Sequence, residues 1–356
     1  MFSNREPLVS ILIPVFNVEK YLNKCLDTVI QQTYSRVEII IIDDGSTDNS
    51  LQIIKEYAQN DRRIKYITRE NRGLINTRVE AMELSTGDYI AYVDSDDWIE
   101  LNYIEKLVYT AIKFKAEIVR CGDIIEYLEE KRRRNYCLSD KVIKIVEKEN
   151  YGKELIPKLL NSYFYNSVHS ELIERKVVCS DAIDRIKNKC FISIGDDVVI
   201  NCELFKYTNR ILTIPDCLYH YRKNNTSIMH TEMSFDKYEK RLNDTYYTMY
   251  SIRELAEFLG EGNEKEWEKS CVKQIDVCVK EYMKKQTANE EKVKAICLAN
   301  LFIREKKIAC VNGKKYKYLF EMKQSEYTYF SMIIMGNVLE AAKKGVKKIY
   351  SYVFCR

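Results

Sequence analysis

Four consecutive residues, Asp94-Ser95-Asp96-Asp97, stand directly after the apolar run Tyr89–Val93. A strand end of this kind holds carboxylates on a rigid support while leaving them open to solvent. Two carboxylates one residue apart at a turn can share a hard divalent cation, and such an ion in turn bridges diphosphate oxygens. The same residues also suit a plain loop with an N-cap for a helix starting near Ile99, and Asp-x-Asp alone is common by chance. The first apolar run is followed by Pro14-Val15-Phe16-Asn17 where a dinucleotide-binding chain carries GxGxxG, which disfavours a nucleotide-dependent oxidoreductase. A Walker-type glycine-rich loop is also absent from the sequence.

The elements that must position these acids follow from the apolar pattern. From Val9 to Cys121, short β-branched runs alternate with helical periodicity, the pattern of βα units around a mainly parallel, buried sheet. Strands are expected at Val9–Ile13, Val37–Ile42, Ile64–Ile67 and Tyr89–Val93, each ending in polar residues. Val18, Leu22, Cys25, Leu26 and Val29 share one helical stripe, with Asn17 placed to cap it. Ser46 or Thr47 is placed to open a second helix over Asp48–Ala58. In open parallel sheets the ligand site lies beyond the carboxyl ends of the strands, so the polar stops after Ile13, Ile42 and Val93 should meet in one crevice. Residues 122–150, with Glu129-Glu130-Lys131-Arg132-Arg133-Arg134, read as a solvated excursion or hairpin. From about Met233 the pattern is helical and rich in Lys, Glu and Tyr.

Composition bounds the rest. At 356 residues the chain exceeds one ordinary core, so one large and one smaller domain are expected. Lys and Arg number 57 against 53 Asp and Glu, a net charge of +4 that argues against a nucleic-acid partner. Twelve cysteines are scattered singly, with no Cys/His cluster at zinc-ligand spacing, and are read as reduced, mostly buried thiols of a cytoplasmic protein. The N-terminal stretch has no signal-peptide pattern. No run approaches the ~20 apolar residues that span a bilayer.

Four segments occur together and in order: Val9–Asn17, IDDGSTDNS at Ile42–Ser50, GDYIAYVDSDDW at Gly87–Trp98, and SIGDDVVI at Ser193–Ile200. In these the sequence closely resembles glycosyltransferase family 2, over about two thirds of the chain. The resemblance implies an α/β GT-A fold, a Rossmann-like, mainly parallel sheet with flanking helices, over residues 1–230. It also implies an inverting transfer of a hexose or N-acetylhexosamine from a UDP-sugar donor to a saccharide or lipid-linked glycan acceptor, with Mn2+ or Mg2+, in surface polysaccharide assembly.

Carried onto this sequence, it implies that Pro14, Val15 and Asn17 border the nucleotide, and that Asp43 and Asp44 receive ribose and base. A carboxylate accepts from a uracil N–H, which favours Asp44 for the base. For Asp43-Asp44-Gly45-Ser46 a capped turn is the competing reading. Arg69 and Arg78 resemble positions that help hold the donor, or else form surface salt bridges. Asp96 resembles the direct metal ligand, with Asp94 beside ribose and metal and Ser95 between them. Gly195-Asp196-Asp197 matches the family's Glu-Asp pair with Asp in place of Glu, which assigns the base to Asp197 and an acceptor-side role to Asp196. Adjacent carboxylates raise one another's pKa, which suits such a base; a helix N-cap is the plainer reading.

Tyr219-His220-Tyr221-Arg222 and Asn225–Ile228 resemble the segment that closes over the diphosphate. There His220 is a third metal ligand, a phosphate contact or a structural residue, and Arg222 neutralises the leaving group. His169 and His230 have less support. Around Val168–Leu172 the family commonly shows an aromatic residue and a lysine, and His169 and Glu171 depart from that. Trp98 is read either as a platform for the acceptor sugar or as core.

Residues 231–356 are expected to form a helical domain serving the acceptor, an oligomer or a membrane surface. From Gly313 to Arg356 there are nine Lys or Arg against three Glu. Within 336–356, Val338, Leu339, Ala342, Val346, Ile349 and Val353 form an apolar stripe flanked by lysines. This basic amphipathic pattern suits peripheral contact with an anionic membrane, or packing on the protein or on a second copy in a homo-oligomer. A rival to the enzyme is a non-catalytic nucleotide-sugar sensor of the same fold, which would have no need of a base at Asp197.

Overall fold

The computed structural model describes residues 6–127, 130–137, 142–161, 167–223 and 234–286, with scattered positions from 292 to 306. The expected features at Asn225–Ile228, His230 and 336–356 lie outside the described residues. Two compact units are present: Met1–Thr231 with Asn243–Trp267, and Glu232–Leu242 with Glu268–Arg356.

In the first unit the chain runs β1 (Val9–Val15), α1 (Glu19–Ile30), β2 (Val37–Asp43), α2 (Ser50–Asn60), β3 (Ile64–Thr68), α3 (Leu74–Leu84) and β4 (Tyr89–Tyr92). It continues through β5 (Trp98–Ile99), α4 (Tyr103–Phe114), β6 (Ile118–Tyr127), β7 (Arg132–Tyr136), β8 (Lys144–Glu147), α5 (Tyr151–Glu154) and α6 (Ile156–Asn161). There follow β9 (Glu171–Glu174), α7 (Ser180–Lys187), α8 (Asp196–Phe205) and β10 (Arg210–Arg222). Two long helices, α9 (Phe235–Phe258) and α10 (Glu264–Lys285), contribute residues to both units.

All ten strands form one sheet in the order β3-β2-β1-β4-β9-β6-β10-β5, with β7 on β6 and β8 on β10. Strands β3, β2, β1 and β4 are parallel. Every residue of β1 and β2 is buried, as expected for parallel strands covered on both faces and therefore rich in β-branched residues. Leu22, Cys25, Leu26 and Val29 of α1 are fully buried against them. In the second unit, Tyr238 and Tyr282 pack at 4.5 Å and Arg241 pairs with Glu281. Among the described residues no helix is long and apolar enough to cross a membrane.

Register brings the crevice together. Val15 is opposite Asp43, and Leu12 opposite Tyr92, so β1, β2 and β4 all end on one side. Their loops are stitched: Asp44 N donates to Val15 O at 2.8 Å, Asn17 N to Ser46 Oγ at 3.0 Å.

Three local expectations are corrected. Asn17 does not cap α1; it takes a left-handed backbone (φ 53°) and its Oδ1 accepts from Thr47 N at 2.7 Å. The opening of α1 is served from the neighbouring loop, where Ser50 Oγ accepts from Val18 N and Asp48 Oδ2 from Glu19 N, both at 3.0 Å. Helix α2 starts at Ser50, with Asp48 Oδ1 accepting from Ser50 N, so neither Ser46 nor Thr47 opens it. The expected hairpin is present, with β6 and β7 paired antiparallel, but Gly122–Ile125 are not solvated: they are buried in β6, between β10 and β7, while β7 is largely exposed.

Candidate active site

The site is built around one buried cation. Arg78, from α3, is 2% exposed. Its Nη2 donates to Asp94 Oδ1 at 2.8 Å, and its Nη1 reaches Asp196 Oδ2 at 2.5 Å and Asp197 Oδ1. Arg78 therefore does not lie on the surface; it joins the turn after β4 to the start of α8, 118 residues away in sequence. Gly195 makes this approach feasible, with φ +86° just before the pair, and its loop is held by Thr248, whose Oγ1 donates to Ile194 O at 3.3 Å.

The turn itself is tied down by its last acid. Asp97 is 1% exposed and accepts from Tyr219 Oη at 3.0 Å and from Arg222 N at 2.7 Å, while the Tyr219 oxygen also accepts from Asp94 N at 3.0 Å. Burial, with Asp96 and Asp94 adding to it, pushes Asp97 well above the ordinary carboxylate range. Its role is to fasten β10 to the turn. Ser95 is buried beside it. Asp96 is different: among the described residues its half-buried carboxylate has no hydrogen bond or ion pair with another side chain. Burial and the Asp94 charge raise it to about 6.

Charge elsewhere is balanced unevenly. Burial works against ionised Asp94, yet Arg78 and His169 outweigh it and hold its carboxyl below its ordinary value. Asp197 is raised to about 7, because burial and the charges of Asp196 and Asp94 together exceed the pull of Arg78. Burial raises Asp196 as well.

The histidines change places relative to expectation. His220 is engaged at both nitrogens, Nδ1 with Glu126 at 2.9 Å and Nε2 with Glu100 at 3.0 Å, and stacks on Trp98 at 4.9 Å. As placed, both ring nitrogens are taken up by carboxylates. His169, which the sequence gave little weight, is buried at the acid cluster, Nδ1 3.8 Å from Asp94 Oδ2 and Nε2 3.7 Å from Asp123 Oδ1. Burial disfavours the charged ring, but Asp123, Asp94 and Asp197 raise it to about 10. Behind it, fully buried Glu171 pairs with Arg120. Its Oε1 also accepts from Asn201 Nδ2 at 3.3 Å. The departure at 169–171 is thus a charged network under the site.

At the ends of β1 and β2, Pro14 and Val15 close β1 and are buried. Asp43 accepts from Ser46 N at 3.1 Å and Thr68 Oγ1 at 2.8 Å. Asp44 accepts from Arg69 Nη1, from Arg72 N at 2.8 Å and from Gly73 N at 2.9 Å. These two acids shape the loop from Arg69 to Gly73, and Arg69 is also bound to Glu80 at 2.6 Å. Arg222 stands across the crevice, its Cζ 4.6 Å from the Tyr21 ring and 4.7 Å from that of Trp98, and its Nε donates to Asp96 O at 2.6 Å. Trp98 is half-buried, with His220 and Arg222 packed on its ring.

The chain is similar to known proteins in sequence and in fold. The model of the family described as glycosyl transferase family 2 matches residues 10–178. EpsH of Bacillus subtilis is 30% identical over 261 residues, 73% of this chain and 71% of that protein. The chain belongs to glycosyltransferase family 2. Glycosyltransferase GlyA of Streptococcus pneumoniae is 32% identical over 217 residues, 60% of this chain, and the match spans 30% of GlyA's length. Among solved structures, Staphylococcus aureus TarS 1–349 in complex with UDP superposes with a TM-score of 0.57 at 16% identity, covering 84% of this chain and 81% of that one. The fold is GT-A, and the family member described here is a glycosyltransferase.

Proposed function

We propose that the chain is a metal-dependent, inverting enzyme that moves a hexose or N-acetylhexosamine from a UDP-sugar to a saccharide or lipid-linked glycan in surface polysaccharide assembly. The observation that carries this reading is the single guanidinium of Arg78 shared by Asp94 and the Asp196-Asp197 pair. Donor-side and acceptor-side acids then face one small space. Support for a uridine nucleotide comes from TarS, whose fold is shared and which is known with UDP and with UDP-GlcNAc.

The unpaired carboxylate of Asp96 fits a divalent cation. Among the described residues there is no group of three His, Cys, Asp or Glu side chains able to cage one, so such an ion would rest on one or two carboxylates, waters and substrate phosphates. Asp96 and Asp94 would hold Mn2+ or Mg2+, which when bound offsets the charge gathering on the departing UDP. Arg222, oriented by Tyr21 and Trp98, faces the same diphosphate. Pro14, Val15 and Asn17 border the nucleotide with Asp43. A carboxylate offers about four acceptor sites, and Asp44 keeps one free for the base, while Arg69 holds it in place.

Inversion needs one base on the acceptor hydroxyl and no covalent nucleophile. Asp197 fills that role, since a group raised to about 7 both ionises and accepts a proton near neutrality. Asp196, tied to Arg78, orients the acceptor. The test is UDP release with Mn2+ or Mg2+ over a panel of UDP-sugars, for the native chain, Asp96→Ala and Asp197→Asn. One donor should be turned over by the native chain alone. Turnover that survives Asp197→Asn removes the base assignment, and no thermal stabilisation by UDP with metal removes the donor reading.

A further inference from the structure

Two thiols outside the acid crevice meet in a way that sugar transfer does not use. Cys137, directly after β7, is exposed, and Cys217, in β10, is half-buried. They are 80 residues apart in the chain, yet their Sγ atoms stand 2.9 Å apart. That is closer than the ~3.5–4.0 Å optimum of non-bonded carbon atoms. The strand between them accounts for the approach. Cys217 is paired with Gly122 of β6, at an irregularity in the β6–β10 ladder. Tyr136, just before Cys137, is paired with Asp123 on the other side of β6. A Cβ at position 122 would lie 2.8 Å from Cys217 Sγ and 3.0 Å from Cys137 Cα. Glycine there leaves the space in which the thiols meet.

We infer that Cys137 and Cys217 are a redox-sensitive modification site, forming a reversible disulfide that ties β7 to β10 across β6. The oxidant is a small-molecule disulfide of the glutathione class. The exposed Cys137, as thiolate, attacks one glutathione sulfur, forming a mixed disulfide and releasing the first glutathione thiolate. Cys217, as thiolate, then attacks the Cys137 sulfur and releases the second. Two protein thiols lose two electrons and two protons, and the glutathione disulfide becomes two thiols. Burial, with the neighbouring thiol adding to it, pushes Cys217 up to about 12. It is therefore a poor nucleophile towards dissolved reagents and acts when a sulfur is presented beside it, which gives Cys137 the entry role.

The site has a place in the fold that makes the link consequential. Cys217 lies two residues before Tyr219 and five before Arg222, on the strand that carries both into the crevice. A bond at Cys217 anchors the middle of that strand. With Cys137 exposed, the bond is open to reduction as well as to formation.

The test uses the full chain, reduced and then treated with excess oxidised glutathione, followed by peptide mapping without reductant. The expected result is a Cys137–Cys217 cross-linked peptide pair, lighter by two hydrogens and restored by dithiothreitol. Cys137→Ser should abolish the link, and Cys217→Ser should leave a persistent glutathione adduct on Cys137. Should Cys217→Ser fail to fold, Cys137→Ser at the exposed position carries the comparison. Free thiols at both positions, a stable glutathione adduct on native Cys137, or cross-links spread over Cys179 and Cys190 would overturn the inference.

Discussion

Replacing Arg78 with methionine removes the one cation shared by Asp94, Asp196 and Asp197 while roughly keeping its buried stem. Arg78 is 2% exposed; of the carboxylates it leaves behind, the Asp196 side chain is 9% exposed while those of Asp94 and Asp197 are 24% and 26% exposed, so water reaches the latter two only in part. Breaking a buried ion pair from one side costs about 3–5 kcal/mol, and for a domain of this size that lowers Tm by roughly 6–20 °C. The chemistry should change as well. In the native chain Arg78 is the largest influence holding Asp197 down, against burial and two neighbouring carboxylates. Without it Asp197 titrates higher still, and each further unit removes about nine tenths of the ionised base at pH values below both. The assay is the pH profile of kcat/KM alongside thermal unfolding, for native, Arg78→Met and Arg78→Lys proteins. The acid limb should move to higher pH in Arg78→Met and partly recover in Arg78→Lys. An Arg78→Met protein with unchanged Tm and unchanged acid limb would refute the reasoning.

Stability should also depend on pH in an unusual direction. Asp96 and Asp197 titrate at about 6 and about 7 against an ordinary 3.8, so each favours the folded state when protonated. That contribution is complete below the unfolded value and is lost as pH rises through 6 to 7. Tm of the metal-free protein should therefore fall between pH 4 and 7, with a shallower slope in Asp197→Asn; equal slopes would contradict this. Gly195→Ala should cost about 1–3 kcal/mol from the left-handed backbone alone. Its Cβ would also stand 2.4 Å from Thr248 Oγ1, so turnover should fall with the Asp196-Asp197 pair displaced. Unfolding and steady-state kinetics check both effects, and a variant as stable and active as the native chain would contradict them.

β1 and β2 were legible because they are continuous apolar, largely β-branched runs, a pattern that burial on both faces imposes; β1 runs through Pro14 to Val15, and β3 is an edge strand with only Ile64 buried. The βα pattern ends at Cys121 in the sequence because Gly122, Asp123 and Glu126 look like loop residues. Gly122 and Asp123 are buried because β10, which arrives from a distant part of the chain, and the neighbouring β7 flank them, and Asp123 is satisfied there by Ser170. The acids themselves stood out through their motifs. The partner that organises them did not, since nothing in a helical Arg78 announces carboxylates 118 residues away. The surroundings of the two histidines were not legible for a similar reason. His220 sits in a recognisable motif yet is taken up by Glu126 and Glu100, whereas His169 gains its importance only from Asp94 and Asp123. Asn17 looked like a cap because Asn caps are common, but the β2–α2 loop supplied the acceptors instead.

The central claim is that donor binding and proton removal reside on separate elements, the β1, β2 and β4 ends and the start of α8. Measuring UDP-sugar affinity by calorimetry and turnover by UDP release for native and Asp197→Asn proteins tests it most directly. Affinity should stay within about twofold while turnover falls by roughly 10²–10⁴, the usual contribution of a positioned base. Loss of affinity in step with turnover, or turnover that is retained, would contradict it.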